Sequence, residues 1–211
     1  MDTKLSQLAS QLSFQGDLQQ DVVQFLTHHG FPKTVGHSAR VAAEAKRIAA
    51  LYELDPEQAA KAAWLHDIST VIPNNERIAF AEELGIEVLE EERKLPMIIH
   101  QKLSVAIAQE LFKISDEGVL SAIGCHTTLK AGASPLDAAV FVADKIAWDQ
   151  EGDPPYLSEI LAALQRSLDQ ASFCYLDYLW QRQAELVVLH PWAAEAHIEI
   201  AQRLATKALH S

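Results

Sequence analysis

Apolar residues recur every three to four positions through most of the chain and rarely alternate with period two, which places them on helix faces rather than strand faces. The fold class this predicts is all-α, cut into segments by short Pro, Gly, Asp and Ser punctuation. A first amphipathic helix is predicted over residues 17–29, ended by Gly30-Phe31-Pro32, and a second over residues 34–52. Asp55-Pro56-Glu57-Gln58 reads as a helix start, with Asp as N-cap and Pro at the first helical position, and that helix carries Trp64-Leu65-His66-Asp67. A polar stretch over residues 69–77 leads into a short helix ending near Gly85, and Pro96 opens another through about residue 112. Asp116 caps a helix through His126, and Ser134-Pro135-Leu136-Asp137 starts one reaching Trp148. Residues 151–155 break the pattern, residues 156–189 are strongly helical, and Pro191 opens a last helix to about residue 209. No internal repeat is visible.

Certain polar residues sit where the pattern demands apolar ones. His37 is in line with Val41, Ala45 and Ile48; His66 follows Ala59, Ala62 and Ala63; His100 aligns with Leu103, Ile107 and Leu111. His126 aligns with Val119, Ala122 and Ile123, and Asp144 follows Val140. Five helices therefore each aim a polar group inward. Any one such histidine is more often a hydrogen-bonded core residue, but four imidazoles and two carboxylates in a common interior are costly unless paired or metal-bound. Adjacent helical side chains diverge by about 100°, so His66 and Asp67 can approach a central ion from two directions, and the Asp67 carboxylate can bridge two ions.

Imidazoles and carboxylates without thiolate suit iron, manganese, cobalt or zinc and leave open positions for water or substrate. Two such ions about 3.5–4 Å apart lower the pKa of a bridging water and hold phosphoryl oxygens, so hydrolysis is the natural reaction.

The length of 211 residues suits a single domain with a helical extension, divided here as residues 1–150 and 151–211, the second packed on the first. A formal charge of −12 argues against a nucleic-acid surface but not against a small phosphorylated substrate, because bound cations reverse the local potential. Cys125 and Cys174 form no metal or disulfide motif and read as reduced core residues. No signal-like start or membrane-length apolar run is visible, so a cytoplasmic location and no membrane partner are expected.

The ordered set His37, His66-Asp67, His100, His126 and Asp144, with its flanks Gly36-His37-Ser38, Leu65-His66-Asp67, His126-Thr127-Thr128 and Phe141-Val142-Ala143-Asp144, resembles the di-metal HD-domain phosphohydrolases. Within them the pattern is most similar to the bacterial symmetrical diadenosine tetraphosphatases. The resemblance spans about residues 30–148 and implies an HD-type helical bundle, bound iron or another divalent metal, and cleavage of a nucleoside polyphosphate, diadenosine tetraphosphate to two ADP. It also implies that His37, His66, Asp67 and Asp144 hold one ion and that Asp67 bridges to a second held by His100 and His126. Asp67 and His66 are the expected catalytic residues.

The departures from that pattern concern the substrate. The usual lysine after the His-Asp pair is replaced within Ile68-Ser69-Thr70, the usual arginine of the loop after His126 has its counterpart in Lys130, and Lys145-Ile146-Ala147-Trp148-Asp149-Gln150 stands for a Glu-Pro-x-Arg region. Lys130 and Lys145, each near a ligand in sequence, are the leading phosphate-binding candidates, Lys33 is a third, and Trp148 is suited to stack on a base. His28 and His29 read as helix-end groups, and His190, His197 and His210 as surface or capping groups. Hydrolysis of a deoxynucleoside monophosphate or cyclic nucleotide, a non-catalytic nucleotide or metal sensor, and a homodimer through the C-terminal helices remain open alternatives.

Overall fold

Helix caps decide where the chain turns, and thereby which residues face inward. The computed structural model describes residues 3–148 and 151–209; Asp149, Gln150 and His210 lie outside the described residues. Among those described, the elements in order are α1 (Thr3–Leu8), α2 (Leu18–His28), α3 (Pro32–Leu51), α4 (Pro56–Leu65), a 3-10 turn (Ile68–Val71), α5 (Arg77–Glu83), α6 (Glu90–Lys94), α7 (His100–Glu110), α8 (Glu117–Cys125), α9 (Pro135–Ile146), α10 (Leu157–Leu164), α11 (Leu168–Gln181) and α12 (Pro191–Leu209). No strand occurs among them, and the class is all-α.

The caps Asp17, Asp55, Asp116 and Ser134 each accept a hydrogen bond from a first-turn N–H, at Gln20, at Glu57 and Gln58, at Val119 and at Asp137 respectively. Ser134 and Asp137 close a reciprocal box, because Asp137 Oδ2 accepts from the Ser134 N–H at 2.8 Å. These side chains satisfy donors that a helix start otherwise leaves without partners.

Several boundaries depart from expectation. Pro32 starts α3 at its first position instead of standing outside it, which suits a residue with no N–H to lose. Pro96 begins a turn, and α7 starts only at His100. The segment 156–189 is two helices, since the Ser167 side chain accepts from the Gln170 N–H and opens α11, and residues after Gln181 leave the helix. α1 and α6 arise where no period was evident; in α6, Glu92 Oε2 accepts from the Leu89 N–H at 2.8 Å.

α3 packs on α4 and α9, and α8 packs on α4, α7 and α9. One apolar cluster joins Phe25, Leu65, Ile99, Leu103 and Ile123. A second runs from Val41 and Ile48 through Phe141 to Ile160, Leu164, Leu176 and Ile200, so the C-terminal helices share a core with α3, α4 and α9. His190 and His197 are buried rather than superficial. His190 Nε2 lies 3.5 Å from Glu92 Oε1, and His197 is stacked between Phe173 and Trp180 with Nε2 3.0 Å from Asp177 Oδ1. Of the cysteines, both free, Cys125 is buried and Cys174 half-buried. No helix is long and apolar enough to cross a membrane among the described residues.

Candidate metal centre

Helix ends, more than helix faces, aim the imidazoles. His66 follows the last residue of α4 and His126 the last of α8, while His100 is the first residue of α7. Their Nδ1 atoms lie 2.6 Å, 2.8 Å and 2.6 Å from the carbonyls of Ala63, Ile123 and Met97, each three residues earlier. A carbonyl only accepts, so each Nδ1 carries the hydrogen and each Nε2 presents a bare lone pair in the neutral ring. Asp67 is not on α4 as the sequence suggested, but follows it, before the 3-10 turn.

The Nε2 atoms converge in two groups. His37 Nε2 is 3.2 Å from His66 Nε2 and 3.1 Å from Asp144 Oδ1. Asp67 Oδ2 stands 3.5 Å from His66 Nε2 and 3.8 Å from His37 Nε2, and Asp144 Oδ1 is 3.5 Å from His66 Nε2. Four donors arranged tetrahedrally about 2.1 Å from one ion would stand about 3.4 Å apart, close to these spacings. The other oxygen of the same carboxylate, Asp67 Oδ1, lies 3.1 Å from His100 Nε2 and 3.6 Å from His126 Nε2, which are 2.8 Å from each other. Two bare lone pairs at that separation repel unless a proton or a cation lies between them. The donor set, nitrogen and oxygen without sulfur, fits a divalent metal.

Burial alone would raise the Asp67 carboxyl, but the His66 charge first, and then the His100 and His126 rings beside it, hold it well below the usual carboxylate range. Asp144 is likewise depressed against its burial by Lys145, His37 and His66. Burial lowers His66, yet Asp67 and Asp144 outweigh it and raise the ring to about 9. His126 is pushed down to about 4, chiefly by burial. In metal-free protein the raised His66 contributes stability that is complete below its unfolded value of 6.5 and lost as pH rises through about 9. The depressed His126 acts oppositely, its contribution being lost as pH falls from 6.5 toward about 4. Urea midpoints of chelator-treated protein are therefore expected to peak near pH 6.5, and to decline on both sides. Metal affinity is expected to rise about tenfold per unit from pH 7 to 9, as the ion displaces the His66 proton, which proton release in calorimetry would show.

His37, Asp67, His100, His126 and Asp144 open onto a cavity of about 340 Å³, with His66 fully buried behind them. One flank carries Thr70, Arg77, Met97 and Thr127; the other carries Lys145, Trp148, Tyr156 and Tyr175. Lys145 is buried, with Nζ 2.6 Å from Asp144 Oδ2 and 3.2 Å from the His126 carbonyl, and 5.2 Å from each of the Phe141 and Tyr175 ring centres. Burial would lower its pKa, but Asp144 raises it, so it stays charged. The loop after His126 is clamped by Gln101, whose Oε1 accepts from the Thr127 N–H at 3.2 Å and whose Nε2 donates to Thr128 Oγ1 at 3.0 Å. Ser69 ties the turn after Asp67 to α7 by donating to the His100 carbonyl at 2.8 Å.

Lys130 and Lys33 are not brought to this cavity. Leu129 takes a positive φ of 56°, which redirects the chain, and Lys130 Nζ donates to Ser121 Oγ at 2.8 Å beside Asp137. Lys33 is exposed on the first turn of α3. Sequence reasoning passed over Arg77, Thr127, Tyr156 and Tyr175. Thr127 Oγ1 stands 3.2 Å from His100 Nε2 and 3.0 Å from His126 Nε2, and only its adjacency to His126 signals it in sequence.

An all-helical bundle that gathers four imidazoles and two carboxylates at the floor of one open cavity, three of the imidazoles and both carboxylates lining it, has the make-up of a metal-dependent hydrolase. Residues 34–149 match the HD domain family, and the chain belongs to it as an HD-domain phosphohydrolase. It is 46% identical over 152 residues to the "Uncharacterized protein in pepC 5'region" of Lactococcus lactis subsp. cremoris, covering 72% of this chain and 77% of that one. It is 32% identical over 116 residues to a protein of Staphylococcus aureus (strain NCTC 8325 / PS 47) named "Bis(5'-nucleosyl)-tetraphosphatase, symmetrical", covering 54% of this chain and 58% of that one. A crystal structure from Clostridium acetobutylicum, described as a predicted HD superfamily hydrolase involved in NAD metabolism, superposes with a TM-score of 0.80 at 25% identity, over 87% of this chain and 97% of that one.

Proposed function

We propose that the protein hydrolyses a nucleoside polyphosphate, diadenosine tetraphosphate to two ADP, at a two-metal centre of iron or, in its place, manganese, cobalt or zinc. His37, His66, Asp67 and Asp144 would hold one ion, and Asp67, His100 and His126 the other. The observation that carries this reading is Asp67, whose two oxygens face two separate sets of Nε2 donors. When bound, such ions supply an activated water and neutralise charge developing on phosphorus.

The chain's own residues supply the rest. Backbone carbonyls hold the His66, His100 and His126 imidazoles with Nε2 bare, Lys145 orients Asp144 and keeps one N–H for a phosphate, and the Trp148, Tyr156 and Tyr175 wall suits a base. Trp148 Nε1 is buried without an acceptor among the described residues, a donor that a nucleotide can satisfy. Two divalent ions with Lys145 and Arg77 would make the cavity positive inside a chain of formal charge −12. The name of the Staphylococcus aureus relative supports the same substrate. We read residues 1–150 and 151–211 as one catalytic unit, because Tyr156 and Tyr175 come from the second part.

A second reading, hydrolysis of a deoxynucleoside monophosphate or cyclic nucleotide, is favoured by the cavity volume of about 340 Å³, near the small end of ligand pockets. Products of metal-loaded protein on a nucleotide panel decide between them. Diadenosine tetraphosphate giving ADP alone is the expected result; AMP with ATP, or turnover only of monophosphates or cyclic nucleotides, would remove the first reading.

A further inference from the structure

Arg77 carries a charge that has no counterion at ion-pair distance among the described residues. It opens α5 and is only 8% exposed. Its Nε donates to the Ile72 carbonyl at 3.1 Å and its Nη1 to the Met97 carbonyl at 3.3 Å. A guanidinium has five N–H groups in one plane, so these two bonds fix the plane and leave three donors. No carboxylate stands at ion-pair distance among the described residues; Asp67 acts on Arg77 only through its field. Buried arginines are ordinarily paired, and ions at Asp67 would neutralise even that influence.

Position supplies the missing partner. Arg77 lines the same cavity as Asp67, His100 and Thr127. The Met97 carbonyl that it binds also accepts from His100 Nδ1 at 2.6 Å, so one carbonyl couples Arg77 to the His100 flank of the centre. A planar fork of N–H groups matches phosphoryl oxygens better than a lysine does.

We propose that Arg77 is a phosphate-binding residue, gripping a phosphoryl group of the substrate on the His100–His126 side and so setting which phosphorus is presented for cleavage. This rests on the phosphohydrolase reading for its substrate, but its binding test does not.

The test uses full-length, metal-loaded Arg77→Met and Arg77→Lys proteins, with inorganic phosphate binding followed by calorimetry and thermal shift, and kcat and KM followed on the best nucleotide. Phosphate affinity and KM are expected to weaken roughly ten- to a hundredfold in Arg77→Met, at unchanged metal content and with smaller losses in Arg77→Lys. Arg77→Gln, which keeps a donor for the Ile72 carbonyl, serves if the Met variant does not fold. A lowered thermal midpoint with wild-type phosphate affinity and KM would reduce Arg77 to a structural tie and overturn the proposal, as would wild-type protein that binds no phosphate. Wild-type protein that binds phosphate through Arg77 yet hydrolyses no nucleotide would instead overturn the functional reading alone.

Discussion

Asp67→Asn is expected to leave the fold intact, to lower bound metal from two ions toward one, and to cut hydrolysis by about a thousandfold or more. The substitution is nearly isosteric, but an amide has one carbonyl oxygen where the carboxylate has two. In the native chain Oδ1 faces His100 and His126 while Oδ2 faces His66 and His37. The amide can serve one set, and its NH₂ would then be turned toward the other, where a cation cannot accept it. Loss of charge stabilisation worth several kcal/mol at the reacting phosphorus corresponds to about a thousandfold in rate. Metal content by mass spectrometry of purified protein, read beside initial rates and the thermal midpoint, checks all three parts. Near-wild-type activity with one bound ion would mean that a single ion suffices.

Asp144→Ala is expected to destabilise the protein by about 3–5 kcal/mol in addition to losing metal, because it strands a buried ammonium. Lys145 is 8% exposed, and its shortest contact is Asp144 Oδ2 at 2.6 Å. The two ring faces and one carbonyl that remain around it cannot replace a full negative charge. The double variant Asp144→Ala/Lys145→Met is therefore expected to regain most of that stability, since a flexible apolar chain fills the same space beside Phe141 and Tyr175. Metal binding and hydrolysis are expected to stay lost in it. Urea denaturation of the metal-free single and double variants measures the difference; equal losses in both would show that Lys145 draws little from Asp144.

The clustering of His37, His66, Asp67, His100, His126 and Asp144 was legible in sequence for a physical reason. A helix that places His or Asp on its apolar stripe violates the pattern at a cost, and five such violations, with Asp67 beside one of them, stand out against a regular background. Caps such as Asp55 and Ser134 were equally plain, because the side chain that begins a helix bonds locally to residues two or three further on. What stayed hidden depends on contacts between distant segments. Arg77 lies at the end of a polar stretch with no period, and its inward placement is set by carbonyls at Ile72 and Met97, the second on a turn twenty positions away in the chain. Tyr175 reaches the cavity from α11, through packing that no local signal announces. Lys130 shows the converse, for it is four residues from His126 in sequence, yet the turn at Leu129 carries it to Ser121 instead. The aromatic sandwich around His197 looked like surface for the same reason, since Phe173 and Trp180 belong to a different helix.

The central claim is a carboxylate shared by two ions, and anomalous scattering from crystals grown with manganese tests it most directly. The expected map has two peaks about 3.5–4 Å apart, one within bonding distance of His37, His66 and Asp144, the other of His100 and His126, with Asp67 contributing an oxygen to each. A map with no peak there, or a single peak that Asp67 does not touch, would contradict it.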